Sequence, residues 1–224
     1  MGTLTRSLAN NITTGGVIAP AGITNATVAD ITSFPNASGG TLVLLSTQTA
    51  SASATISFTT GLDSTYDEYI FKFINIHPAT DNAEFQFNMS TDSGSNYNVT
   101  KTTTFFLAQQ AEDGSYSSLE YGASRDLAQG TGNQYISVGV GNDNDQNVNG
   151  SLTLFNPSST TYVKHYISIT NSSQGSDYSV NSYSAGYGNT TSAVNAIRFV
   201  MTSGNIDDGI IKLYGVKDIV AEAL

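Results

Sequence analysis

The chain has 224 residues, no Cys and no Trp, and 8 basic against 18 acidic side chains, for a net charge of −10. Without Cys it can build no disulfide framework, no thiolate zinc site and no Cys nucleophile. Its basic residues are scattered, so it has no concentrated positive footprint for nucleic acid, and its charge opposes an anionic membrane surface.

Charged residues make up only 12% of the chain, against ~25% in ordinary globular domains. The surface is therefore expected to consist of Ser, Thr, Asn, Gln and Gly. Residues 1–10 hold one Arg and no apolar run, unlike a secretory signal, and no segment approaches the ~18 apolar residues of a membrane helix. The expectation is a soluble protein made in the cytoplasm, with no membrane insertion.

Residues 1–35 are rich in Thr, Asn, Ala and Gly, with no aromatic before Phe34. Val17, Ile18, Ile23, Val28 and Ile31 follow neither a helical nor a strand period. The segment reads as an extended N-terminal arm whose apolar residues are contact candidates on a neighbouring subunit. Residues 36–224 form the second unit, a β-sandwich.

From Gly40 onward short apolar segments alternate with turn residues. Strands are predicted at 41–46, 54–58, 68–76, 83–90, 99–107, 134–140, 150–155, 162–170, 179–186, 193–202 and 210–216. In the fourth, Phe85, Phe87 and Met89 are expected to face a core and their neighbours water. Ile136, Val138 and Val140 alternate likewise against Tyr135, Ser137 and Gly139. Residues 69–76 are apolar on both faces except Lys72 and Asn75, which marks a central strand covered twice or one whose second face meets another subunit.

Ser93-Gly94-Ser95-Asn96 suits a hairpin turn with positive φ. Gly141-Asn142-Asp143-Asn144-Asp145 and Ser203-Gly204-Asn205 are similar, and Pro78 and Pro157 end strands because Pro cannot donate to a ladder. Residues 115–129 read as one short helix or an excursion loop. Many short strands without intervening helices specify an all-β, antiparallel jelly-roll-like β-sandwich.

Little in the sequence carries catalytic chemistry. His77 and His165 are far apart, with no Cys or third His to complete a zinc site, and each is expected to be hydrogen-bonded in or beside the sheet. No Gly-x-Ser-x-Gly elbow and no phosphate-binding Gly motif is present. The acids Asp63, Asp67, Glu68, Glu112, Asp113, Asp207 and Asp208 lie mainly in turns, and no Trp lines a sugar cleft beside them. Asp143 and Asp145 share an oxygen-rich loop and are a weak Ca²⁺ candidate; otherwise no metal and no cofactor is expected. Tyr116, Tyr121, Tyr178, Tyr183 and Tyr187 sit among Ser, Gly and Asn, a mixture suited to contact surfaces. Of these, Tyr116, Tyr121, Tyr183 and Tyr187 are the contact candidates.

Several blocks are distinctive as text. They include Thr47-Gln48-Thr49-Ala50-Ser51, the run Ile56-Ser57-Phe58-Thr59-Thr60-Gly61-Leu62-Asp63-Ser64-Thr65-Tyr66-Asp67-Glu68-Tyr69, and Ile76-His77-Pro78-Ala79-Thr80-Asp81. Leu154-Phe155-Asn156-Pro157-Ser158-Ser159, Ala196-Ile197-Arg198-Phe199, Ser203-Gly204-Asn205-Ile206 and Ile211-Lys212-Leu213-Tyr214-Gly215-Val216 follow in order. Together, over residues 40 to 217, they resemble a module of tailed-bacteriophage virion proteins described as tail-fibre or particle-surface proteins. Ser7-Leu8-Ala9-Asn10-Asn11 looks like segments in marine and cyanobacterial phages.

The resemblance implies a jelly-roll-like fold, homo-oligomers with trimers favoured, a place on the virion surface, and no catalytic residues to carry over. The expected function is a non-enzymatic structural subunit of tail-fibre or adhesin type, docked on other virion proteins by its N-terminal arm. A capsid-decoration or neck subunit is the alternative within that class. A carbohydrate-binding or carbohydrate-active protein, meeting a host-surface glycan through loop Tyr and acids, is the alternative from another class.

Overall fold

In a computed structural model of the chain, residues 41–217 are described; the arm candidates Val17, Ile18, Ile23, Val28 and Ile31 lie outside them. The described residues hold twelve strands and no helix. They are β1 (Leu42–Ser53), β2 (Ile56–Phe58), β3 (Glu68–Pro78), β4 (Phe85–Ser90), β5 (Lys101–Ala111), β6 (Ser117–Tyr121), β7 (Gln134–Tyr135), β8 (Val148–Phe155), β9 (Lys164–Gln174), β10 (Tyr178–Gly188), β11 (Ala196–Met201) and β12 (Ile206–Val216). All pair antiparallel in two sheets, one of eight strands in the order β1-β12-β3-β8-β9-β10-β5-β6 and one of four in the order β2-β11-β4-β7. The all-β expectation holds.

The two sheets share one apolar core. Tyr69, Phe71 and Phe73 of β3, Leu152 and Leu154 of β8, and Ile211 and Leu213 of β12 point inward from the large sheet. Phe85, Phe87 and Met89 of β4, with Ile197 and Phe199 of β11, point inward from the small one. Phe199 is the hub: its ring lies 5.2 Å from Phe73, 5.4 Å from Phe71, 5.7 Å from Phe85 and 6.2 Å from Phe58. Such edge-on and offset pairs contribute roughly 0.5–1.5 kcal/mol each beyond area burial.

A second cluster joins Phe105 and Leu107 of β5 and Val180 of β10 to Val138. The 136–140 segment is fastened there by hydroxyls of β9. Thr170 Oγ1 donates to the Ile136 carbonyl, and Ser172 Oγ donates to the Val138 carbonyl at 3.1 Å.

Five expectations need correction. Residues 134–140 form a strand only at Gln134–Tyr135; the rest makes separate backbone bonds, Ile136 to Phe85 and Val140 to Ala83, and bonds from β9 hydroxyls, but no continuous ladder. Ser137 does not face water: it is buried and its Oγ accepts from the Phe85 amide at 2.8 Å. Gln86 and Asn88 are also buried. The second face of β4 is covered by residues 131–133 and by Lys101, whose polar groups meet the Asn88 amide. Residues 115–129 contain neither a helix nor only loop, but the edge strand β6. Its sequence Ser-Ser-Leu-Glu-Tyr pairs through backbone with β5 while four of its five residues stay exposed.

The Ser93-Gly94 turn does show positive φ, 59° and 87°. It is not a hairpin turn, however, since β4 pairs in the small sheet and β5 in the large one.

Candidate contact face

Strand alternation turns one side chain in two of the large sheet inward and the next outward. On β9 the usual assignment is reversed. Tyr166, Ser168, Thr170 and Ser172 face inward and are buried, while Ile167 and Ile169 face outward, 49% and 45% exposed. The inward hydroxyls are satisfied: besides Thr170 and Ser172, Ser168 Oγ donates to the Ser151 carbonyl at 3.0 Å and Tyr166 shares a 3.0 Å hydrogen bond with Ser184. The strand therefore spends its polar groups inside and shows its branched aliphatics to the exterior, opposite to a half-buried antiparallel strand at a water interface.

The register extends this outward face across the sheet. Directly opposite partners run Tyr121 (β6), Phe106 (β5), Tyr183 (β10), Ile169 (β9), Ser151 (β8), Lys72 (β3), Lys212 (β12) and Thr47 (β1). The next row toward one end holds Ala185, Ile167, Thr153, Ile70, Tyr214 and Leu44. Toward the other end a ladder of amides crosses three strands: Asn181, Asn171 and Asn149.

The face is therefore divided. On β5, β6, β9 and β10 it is aromatic and aliphatic; on β3 and β12 its centre is two Lys side by side. Among the described residues neither Lys72 nor Lys212 makes an ion pair.

The rings of Phe106 and Tyr183 stack with centroids 4.7 Å apart and planes within 6°. The stack covers one face of each ring with the other. The Tyr183 phenol accepts from Asn181 Nδ2 at 2.8 Å. At the β6 edge the Tyr121 phenol donates to Asp126 Oδ2 at 2.5 Å, and this bond to a carboxylate raises the pKa of the phenol. Tyr187 lies on the same face beside His165, ring centroids 5.6 Å apart.

Three of the four Tyr contact candidates, Tyr121, Tyr183 and Tyr187, thus share the outward face. Tyr116 does not join them; it sits at the β5–β6 turn, 6.1 Å from the ring of Tyr178 on the inward side. Sequence reasoning missed Phe106, Ile167, Ile169, Lys72 and Lys212. The signal for the isoleucines was present in His165-Tyr166-Ile167-Ser168-Ile169-Thr170: both phases of the alternation are plausible until the hydroxyls are seen to have carbonyl partners inside.

The acid-rich end loops form a shallow cleft of about 300 Å³ lined by His77, Asn144, Asp207 and Asp208 among others. His77 Nε2 contacts the Asp143 carbonyl at 3.2 Å, and its Nδ1 lies 3.8 Å from Asp207. Among the described residues no three His, Asp or Glu gather into a metal-sized group, and Asp143 and Asp145 belong to no such cluster.

Below the face, two Lys are fully enclosed. Lys101 and Lys164 flank Gly188 from either side. Lys101 Nζ donates to Asn88 Oδ1 at 2.6 Å and to the Val99 carbonyl at 2.7 Å; Lys164 Nζ donates to the Tyr162 and Thr190 carbonyls. Neither has a carboxylate partner, and burial lowers both pKa values, that of Lys101 to about 8.

Searches against family models, curated proteins and solved structures find no match to this chain.

Proposed function

We propose that this chain is a non-enzymatic structural subunit of a tailed-phage particle. In this reading a jelly-roll-like sandwich does its work through the outward face of the eight-stranded sheet, and residues 1–35 form the arm that holds a neighbouring virion protein. The observation that carries the reading is the reversed strand β9. Exposed large apolar patches on a soluble protein mark interaction sites, and here the reversal costs buried hydroxyl groups that must each find an acceptor. Protein is a better fit than glycan for the occupant, because the stack covers one face of each ring and branched aliphatics, Ile167 and Ile169, make up the neighbouring surface.

The phage assignment rests on the resembling blocks. Three of them meet at one end of the fold. The Asn156 amide donates to the Asp67 carbonyl at 2.5 Å, and Tyr66 packs over Gly215, where an added Cβ would lie 2.3 Å from the ring. The Pro157 carbonyl accepts from the Val194 amide at 2.8 Å. Two of these contacts are backbone hydrogen bonds and the third sets the Tyr66 ring against a glycine, so the three blocks support one another at that end of the fold.

Tail-fibre or adhesin-type placement is the first reading; capsid decoration or a neck position is the alternative. Labelling the chain on intact particles separates them, with signal expected at a regular site on tail, neck or head. Purified particles lacking the chain, with all of it left free in the lysate, would refute the reading. Removing residues 1–35 is expected to leave a folded domain that no longer enters particles.

A further inference from the structure

The divided face has the layout of one half of a self-complementary pair. Lys72 and Lys212 are directly opposite each other on β3 and β12, and like charges in that position destabilise a sheet. The matching acid is at the other side of the same face, where Asp126 is hydrogen-bonded to Tyr121 on β6. Six strand spacings separate β12 from β6, ~29 Å at about 4.8 Å each. That is several Debye lengths at physiological ionic strength, so the two do not interact within one chain.

We infer that the outward face of the eight-stranded sheet binds the same face of a second copy of this chain, about a two-fold axis running nearly along the strands through the sheet centre. This rests on the reading of the face as a contact surface and names its occupant. The axis reverses the strand order of one copy over the other. β3 then lies over β10 of the second copy, β12 over β5, and β8 over β9. Lys72 sits over Tyr183, whose phenol oxygen has a free lone pair, and Lys212 sits over Phe106 with Asp126 one strand away. The aliphatic stems of the Lys cover ring edges while their ammonium groups reach oxygen. Ile167 and Ile169 are buried at the middle against Thr153 and Ser151.

The interface is isologous and closed, which caps the assembly at two. Eight strands by about four outward rows give ~1,000 Å² on each copy, or ~2,000 Å² in all, the size of a stable specific interface.

The test is sedimentation equilibrium of the full chain, with thermal unfolding of every variant as a fold check. Wild type is expected to be a dimer. Ile169→Glu is expected to be monomeric with an unfolding temperature near wild type, because that side chain is already exposed. Lys212→Glu removes a like-charge neighbour within the chain, so the fold is kept or stabilised, yet the dimer should weaken by at least about tenfold. Asp126→Lys should weaken it similarly, and the double variant Lys212→Glu/Asp126→Lys should recover most of the loss, which only an intermolecular pair can produce.

A monomer at all concentrations, a trimer, or a double variant no tighter than either single variant overturns the two-fold pair. If wild type is monomeric but Ile169→Glu is still lost from particles, self-pairing fails and the contact face stands. If Ile169→Glu changes neither dimer nor incorporation, both fail.

Discussion

Lys101 offers the sharpest test of how this core is held together. Its side chain is fully buried and its ammonium meets only neutral acceptors. Lowering its pKa from 10.5 to about 8, at ~1.4 kcal/mol per unit, means that the charged side chain costs the fold about 3 kcal/mol at neutral pH. The sign follows from proton counting. Between pH 8 and 10.5 the unfolded chain still holds the proton that the folded chain has lost, so stability rises with pH through that window and the full cost persists below it.

Lys101→Met keeps the stem and removes the charge. Val99 loses a donor, while Asn88 Oδ1 still accepts from the Met89 amide. These hydrogen-bond losses, about 1 kcal/mol each, do not depend on pH. The variant should therefore be as stable as wild type or more so at pH 7. Its advantage should shrink by about 2–3 kcal/mol by pH 10. Urea unfolding at pH 7, 8, 9 and 10 reads this directly. Parallel stability curves for the two proteins would show that the Lys101 charge is not what the fold is carrying, whatever the offset between them. Lys164, shifted the same way by burial, keeps some slope in the variant.

Other outcomes follow from the same contacts. Above about pH 10.5, where the Lys101 contribution has levelled off, wild-type stability should fall, because burial raises the pKa of Tyr166 and Tyr69 and unfolding releases them to ionise; Tyr166→Phe should make that fall shallower when the urea series is carried on to about pH 11.5. Phe199→Ala empties the centre of the ring cluster and should cost about 3–5 kcal/mol in urea unfolding, with a cost below ~1 kcal/mol contradicting the packing described. Gly215→Ala drives a methyl into Tyr66 and should cost about 1–3 kcal/mol, largely relieved in the Tyr66→Ala background.

The sequence shows the all-β, antiparallel class and most strands because alternation is strong where one face is apolar, as at Phe85, Phe87 and Met89. It is silent on the opposite face of β4: the burial of Gln86 and Asn88 depends on Lys101 and on residues 131–133, which arrive from elsewhere in the chain. Strand β6 escaped notice because an exposed edge strand needs no hydrophobic stripe, only a backbone partner. Turn chemistry correctly placed positive φ at Ser93 and Gly94 but cannot say whether the chain returns to the same sheet or crosses to the other. The Tyr clusters were visible as composition. Their assembly into one face with Phe106, Ile167 and Ile169 was not, because it follows from the register of strands far apart in sequence.

The pairing of Leu42 with Val216 brings the first and last described strands together at one border of the large sheet. That closure joins segments more than a hundred residues apart, so a nascent chain cannot complete the sheet until β12 has been made. High contact order of this kind slows folding and leaves β3, later a central strand, temporarily open at its side. A circular permutant that links β12 to β1 through a short flexible loop and opens the chain in the exposed β5–β6 turn would make that closure local, and it should refold faster than the natural order while reaching the same native state.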